Sequence, residues 1–153
     1  SKRFSSCGAR VGALISRNQE LMAQAMKICQ GRLCAATLDQ VGAAAMYREL
    51  PAAYYTSIRE EYQRRRDTVV SKLAEIPGVV CKCPEGAFYL FVKSPVENEK
   101  EFCEVCKQYN VLVVPGSSFA CPGYVRIAYC VSYGQIERSL PAFRKIAEHY
   151  NLV

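Results

Sequence analysis

VLVVPGSSFACPGYVRIAYC, residues 111–130, contains two apolar runs separated by a Pro-Gly-Ser-Ser loop. The first run, VLVV at 111–114, is too uniformly apolar to face water on either side and predicts a strand covered on both faces. The second, Tyr124 to Cys130, predicts another strand. Upstream, VVCKC at 79–83 and AFYLFV at 87–92 flank Pro84-Glu85-Gly86 and predict a hairpin. Between hairpin and VLVV, Phe102, Val105, Cys106 and Tyr109 share one helical face, with Asn98 and Glu101 placed to open that helix. Downstream, Ser132 with Gln135 opens a last helix, whose Ile136, Leu140, Phe143, Ala147 and Tyr150 recur at helical spacing. The order is ββαββα, an α+β unit.

The preceding residues have a different texture. Ala9 to Ser16 predicts a short buried strand ending in GALI, and Ser16 with Gln19 reads as the cap of a following helix that runs to about Gln30. Leu21, Met22, Ala25, Met26 and Cys29 lie on one face of that helix and are expected in a core, with Gly31 ending it. Thr37 with Gln40 repeats the capping signature for an Ala-rich helix that Pro51 stops. From Thr56 to Ile76 a narrow apolar stripe, with Glu60 and Glu61 four residues before Arg64 and Arg65, predicts a long and largely solvated helix joining two packed units. The expected class is α/β: the ββαββα unit within residues 53–153, entered through this helix, and a strand and two helices within residues 1–52.

Half of the 153 residues are hydrophobic and 22% are charged, which excludes a disordered or low-complexity chain. Twenty Lys and Arg against fourteen acids give a formal charge of +6, but the basic residues are scattered, so no nucleic-acid partner is expected. No apolar run approaches the ~20 residues of a membrane span, and the N-terminus lacks a signal peptide's apolar core, so a cytoplasmic location without a membrane partner is expected. The nine cysteines are odd in number and unaccompanied by a secretion signal, and most are expected reduced and buried, Cys29, Cys34 and Cys130 among them. Cys81, Cys83, Cys103 and Cys106 loosely suggest a four-thiolate zinc site and a non-catalytic, zinc-stabilised module as an alternative. A single residue between the first two, and the helical setting of the second two, argue for no metal.

Three cations stand out. Arg126 interrupts the apolar strand YVRIAYC, where an unpaired guanidinium is costly and calls for an anionic partner, either an internal Glu or a ligand carboxylate. Arg10 sits in GARVG, where glycines let a bulky anion approach the backbone. Lys2 lies in the pattern K-x5-G-x-R-x-G, formed with Gly8, Arg10 and Gly12 and preceded by Ser1. This block resembles the cofactor-lysine signature of the class I and II aminotransferases, fold-type I enzymes that use pyridoxal 5′-phosphate. The resemblance continues through PEGAFYLFV (84–92), VLVVPGSSF (111–119) and GYVRIAYC (123–130), in the order and rough spacing of that family. Ser6, where an aliphatic residue is usual, and Ala120-Cys121, where Gly often follows the Phe, depart from it.

The resemblance implies a role for each matched residue. Lys2 corresponds to the lysine that binds the cofactor covalently and then moves a proton at the substrate Cα, a task that needs a lysine able to shed its proton despite an ordinary pKa of ~10.4. Arg10 corresponds to the arginine on the cofactor phosphate, with Ser1 as a nearby hydroxyl donor, and Arg126 to the clamp on the substrate α-carboxylate. The family's carboxylate partner for the pyridine nitrogen is not matched by either aspartate, Asp39 or Asp67. Residues 1–52 then correspond to the end of the large cofactor domain and 53–153 to the small domain, a C-terminal fragment expected to be inactive alone. The implied activity moves an amino group from an L-amino acid, aspartate-like by default, to a 2-oxo acid in a homodimeric parent enzyme. Apolar faces in residues 1–50 are expected to lack partners, so that this region is disordered, rearranged or self-associated, whereas 79–150 can enclose a core.

Overall fold

Helix starts follow local chemistry in the structure, a computed structural model that describes residues 2–152. Helix α1 spans Gln19–Arg32, α2 Thr37–Glu49, α3 Ala52–Ala74, α4 Glu99–Gln108 and α5 Tyr133–His149; the strands are β1 Tyr89–Lys93, β2 Val114–Pro115 and β3 Tyr124–Ala128. Asn98 Oδ1 accepts the Lys100 N–H at 3.2 Å to start α4, and Ser132 Oγ accepts the Gln135 N–H at 3.3 Å to start α5, as their capping signatures require. At α1 the cap is Asn18 rather than Ser16, because Asn18 Oδ1 reaches the Leu21 N–H at 2.9 Å while Ser16 Oγ accepts from Asn18 N–H at 3.1 Å. That helix runs through Gly31 and ends at Leu33, which takes a left-handed φ of 73°. Thr37 is the first residue of α2 rather than its side-chain cap, and Gln40 Nε2 instead donates to the Ala35 carbonyl at 2.7 Å.

The chain divides into two compact units, Ser1–Tyr55 and Thr56–Val153. In the first, α1 and α2 form, but no described residue is buried. Ile15 is 90% and Leu33 88% exposed, and the Leu21–Met26 stripe and Cys29 lie at the surface rather than in a core. The strand expected over Ala9–Ser16 is not formed: residues 10–16 have no regular structure, since no strand among the described residues pairs with them. The segment before them is tied to α2 and the start of α3. Phe4 packs edge-on against Tyr47 at 4.8 Å between centroids, and the Arg3 guanidinium lies 4.8 Å from the Tyr55 ring.

The second unit holds the core. Three antiparallel strands in the order β1-β3-β2 place β3 in the middle, paired Phe91↔Arg126 on one side and Val114↔Arg126 on the other. One face, carrying Leu90, Val92 and Val125, packs against Val69 and Leu73 of α3, Phe102 and Cys106 of α4 and Ile136 of α5. The observed strands differ from the expected ββαββα at two points. Of the 79–83 half of the hairpin only an isolated bridge, Cys81 with Val92, remains, supported by Lys93 N–H donating to the Val80 carbonyl at 2.9 Å. VLVV is not covered on both sides: Val111 and Val113 are buried while Leu112 is 82% exposed, so the run alternates and only Val114–Pro115 pairs.

Candidate functional site

Alternation along β3 decides where Arg126 points. Val125 is buried and Ile127 packs on the core, so Tyr124 and Arg126 occupy the opposite face of the sheet, beside Tyr89 and Phe91 of β1. The guanidinium carbon lies 4.3 Å from the Tyr89 ring centroid and 4.0 Å from that of Phe119, which follows β2 in the 3-10 turn Gly116–Phe119. Two aromatic faces thus hold the planar cation. Its Nε is buried with no hydrogen-bond partner, and among the described residues Arg126 makes no ion pair. The internal Glu partner allowed by the sequence is therefore absent there. Two of the unit's acids are engaged otherwise: Glu75 bonds Lys72, and Glu104 pairs with Lys107.

A closed loop sets the Phe119 wall. Gly116 is buried where a Cβ would lie 2.1 Å from the Cys121 carbonyl oxygen and 2.5 Å from that of Tyr124, an approach only glycine permits. The Cys121 N–H returns to the Gly116 carbonyl at 3.0 Å, and Ala120 takes a left-handed φ of 54°. Outside the loop, Glu99 of α4 accepts the Gly123 N–H at 3.3 Å on Oε2.

Lys2 and Arg10 belong to the first unit and Arg126 to the second, and each is placed here within its own unit. Lys2 is exposed immediately before the turn that leads to the 3-10 segment Cys7–Ala9. Arg10 ends that segment in a left-handed conformation, φ 53°, is exposed, and donates from Nη1 to the Cys7 carbonyl at 3.2 Å. A Cβ at Gly8 or Gly12 would meet nothing within 4 Å, so the backbone around Arg10 is open to a ligand. Ser1 lies outside the described residues.

The cysteines do not form the four-thiolate set. Among the described residues no group of three or more His, Cys, Asp and Glu is placed to hold a metal ion. Cys103 and Cys106 are buried in the core face of α4, while Cys81 is half-buried and Cys83 exposed. Burial pushes the Cys106 thiol up to about 12, which suits a packed hydrophobe rather than a thiolate ligand. Cys29, Cys34 and Cys130, expected inside, are exposed, because no layer among the described residues covers α1, the 33–36 connection or the end of β3.

The family model described as "Aminotransferase class I and II" matches residues 1–143. The chain belongs to this family. It is 30% identical to an aspartate aminotransferase of Bacillus subtilis, covering 99% of this chain and 40% of the relative. It is 35% identical to "Aromatic-amino-acid aminotransferase 2" of Thermococcus litoralis, covering 100% of this chain and 41% of the relative. Among solved structures, the aromatic aminotransferase from Pyrococcus horikoshii matches with a TM-score of 0.85 at 31% identity, over 100% of this chain and 42% of that one. The chain thus spans about two fifths of the length of the relatives it matches. Class I and II aminotransferases depend on pyridoxal 5′-phosphate.

In this member of the family, the sequence marks the guanidinium on β3 but not its surroundings. Tyr89 and Phe119 lie within the PEGAFYLFV and VLVVPGSSF blocks, but no local pattern marks them as the two walls of one cation. Glu99, in the first turn of α4, is not singled out by the sequence, and its burial beside Gly123 has no signal there.

Proposed function

We propose that this chain carries the reactive lysine, the phosphate-binding arginine and the carboxylate clamp of a pyridoxal 5′-phosphate-dependent aminotransferase. Arg126 is the observation that carries this: a guanidinium flanked by two rings, Nε unpartnered, and no ion pair from the described residues. A guanidinium so placed suits two-pronged binding of a ligand carboxylate. Lys2 and Arg10 fit the cofactor's chemistry, because one short exposed segment presents a primary amine for an aldehyde and a guanidinium for a phosphate. Ser1 is proposed as an added hydroxyl donor to that phosphate.

The cofactor, when bound, supplies an electron sink for the pair left at the substrate Cα. Lys2 Nζ would take the proton from the donor Cα and, in the second half of the exchange, would give one to the Cα of the amino acid formed from the 2-oxo acid. Arg126 fixes the α-carboxylate, and so the direction of the Cα–H bond, which is where positioning lowers the barrier. The donor is proposed to be an L-amino acid, aspartate by default from the named relatives, and the acceptor a 2-oxo acid. An aromatic donor is the second reading, favoured by Tyr89, Phe91 and Phe119 around the clamp. Relative kcat/KM for aspartate and phenylalanine separates the two.

Residues 1–52 are proposed as part of a cofactor domain and 53–153 as a small domain, working in a cytoplasmic homodimer. The 153 residues alone are proposed to be inactive. Neither Asp67, paired with Arg66 at 2.7 Å, nor Asp39, in the first turn of α2, matches the position of the family's carboxylate partner for the pyridine nitrogen. The test is to express the open reading frame that encodes this chain and record its visible spectrum. A cofactor absorbance that Lys2→Ala abolishes is expected; an absorbance unchanged by Lys2→Ala overturns the assignment of Lys2.

A further inference from the structure

Resting on Arg126 as the carboxylate clamp, we propose that Glu99 is a positioning residue for it, holding the 116–123 loop so that Phe119 stays against the guanidinium. Glu99 is only 7% exposed, and no cation pairs with it among the described residues. A buried carboxylate survives only where hydrogen bonds replace water. Those bonds come from the loop and from the residue's own N–H. The Ser117 hydroxyl, then the N–H groups of Glu99 itself, Gly123 and Ser117, hold this carboxyl below the ordinary range against the opposing effect of burial.

A helix-terminus role alone does not account for this arrangement. Asn98 already caps α4, and the exposed Glu101 supplies acidic charge in the same turn without being buried. What the Glu99 carboxylate does in addition is hold the loop end just before β3, accepting the Gly123 N–H at 3.3 Å, while the Ser117 hydroxyl, just after β2, is the main group favouring its ionised form. Phe119 lies between them. Phe119 is 44% exposed and outside the core; besides the guanidinium its ring meets Phe91 edge-on at 6.2 Å, so its place against Arg126 depends largely on the backbone that carries it. A guanidinium that loses one of its two walls regains rotamer freedom and with it a cost on binding a carboxylate.

The experiment uses the 153-residue chain labelled with nitrogen-15, the Arg126 Nε–Hε resonance being identified by its loss in Arg126→Met. Two ring faces around the guanidinium shift this resonance upfield of free arginine. Glu99→Ala and Ser117→Ala are expected to move it back toward the free position while the Leu90 and Val125 amides stay in place. Glu99→Gln, which keeps an acceptor oxygen, is expected to retain most of the shift. An unmoved Nε–Hε in Ser117→Ala and Glu99→Ala, with the sheet amides intact, overturns the proposal; if Glu99→Ala unfolds, the exposed Ser117→Ala decides alone. In the enzyme expressed from the whole reading frame, Ser117→Ala should raise KM for the amino donor several-fold with little change in kcat. The resonance is read without substrate, so it tests Glu99 even if Arg126 proves to have another ligand.

Discussion

Arg126→Met separates a residue kept for a ligand from one kept for the fold. In the folded chain the substitution removes a buried Nε that has no partner, a defect of about 1–3 kcal/mol. It also removes a cation from two rings at 4.3 and 4.0 Å. Each such contact is worth roughly 0.5–1 kcal/mol near a surface, and a thioether recovers part of that on an aromatic face. The two effects oppose each other, so stability should fall by no more than about 1 kcal/mol. Breaking a buried ion pair would instead cost about 3–5 kcal/mol. Urea unfolding of the 153-residue chain, followed by far-UV circular dichroism, distinguishes these, because a slope of about 1–3 kcal/mol per molar converts the larger loss into a midpoint shift of roughly 1 M or more. In the enzyme from the complete reading frame the same change should raise KM for the amino donor with cofactor still bound. A charged hydrogen bond of about 1.5–3 kcal/mol corresponds to roughly tenfold to a hundredfold. A large loss of stability, or a KM equal to that of the parent, refutes the reasoning.

Gly116→Ala should destabilise the second unit by about 1–3 kcal/mol, since the new methyl would meet backbone oxygens of Cys121 and Tyr124 that cannot rotate away. A thermal melt checks it, and an unchanged midpoint would mean that the loop is not closed at this point. Iodoacetamide at pH 8 should label the exposed Cys7, Cys29, Cys34, Cys83 and Cys130 and spare Cys103 and Cys106, whose thiols burial raises above the ordinary range. Mass spectrometry of the digested native chain reads the pattern, and labelling of Cys106 at the rate of Cys83 would show that α4 is not packed on the sheet.

Legibility tracked the range of the interactions involved. Asn98 and Ser132 were recognisable as caps because their bonds reach two or three residues along the chain. Phe102 and Cys106 were recognisable as core by spacing alone. VLVV misleads because composition states only that a run is apolar; Leu112 turns outward where Val111 and Val113 turn in. The strand expected at 9–16 failed for a related reason, since a strand is completed by a partner and none pairs with it among the described residues. Cys29 and Cys34 followed, an apolar neighbourhood in sequence being no guarantee of a covering layer.

By itself the sequence determined the helices of both units, the capping of α4 and α5, the family, and the three cations on which the chemistry is proposed to rest. Periodicity and motif spacing are properties of the chain, available before any long-range contact forms. Only tertiary structure decided that Arg126 lies on the central strand with its guanidinium between Tyr89, thirty-seven positions earlier in the numbering, and Phe119. It likewise decided that a buried Glu99 bonds the loop bearing one of those rings. Which face of a strand meets the core, and which distant ring closes over a cation, depend on pairing register and loop closure, and neither is written in any single stretch of residues.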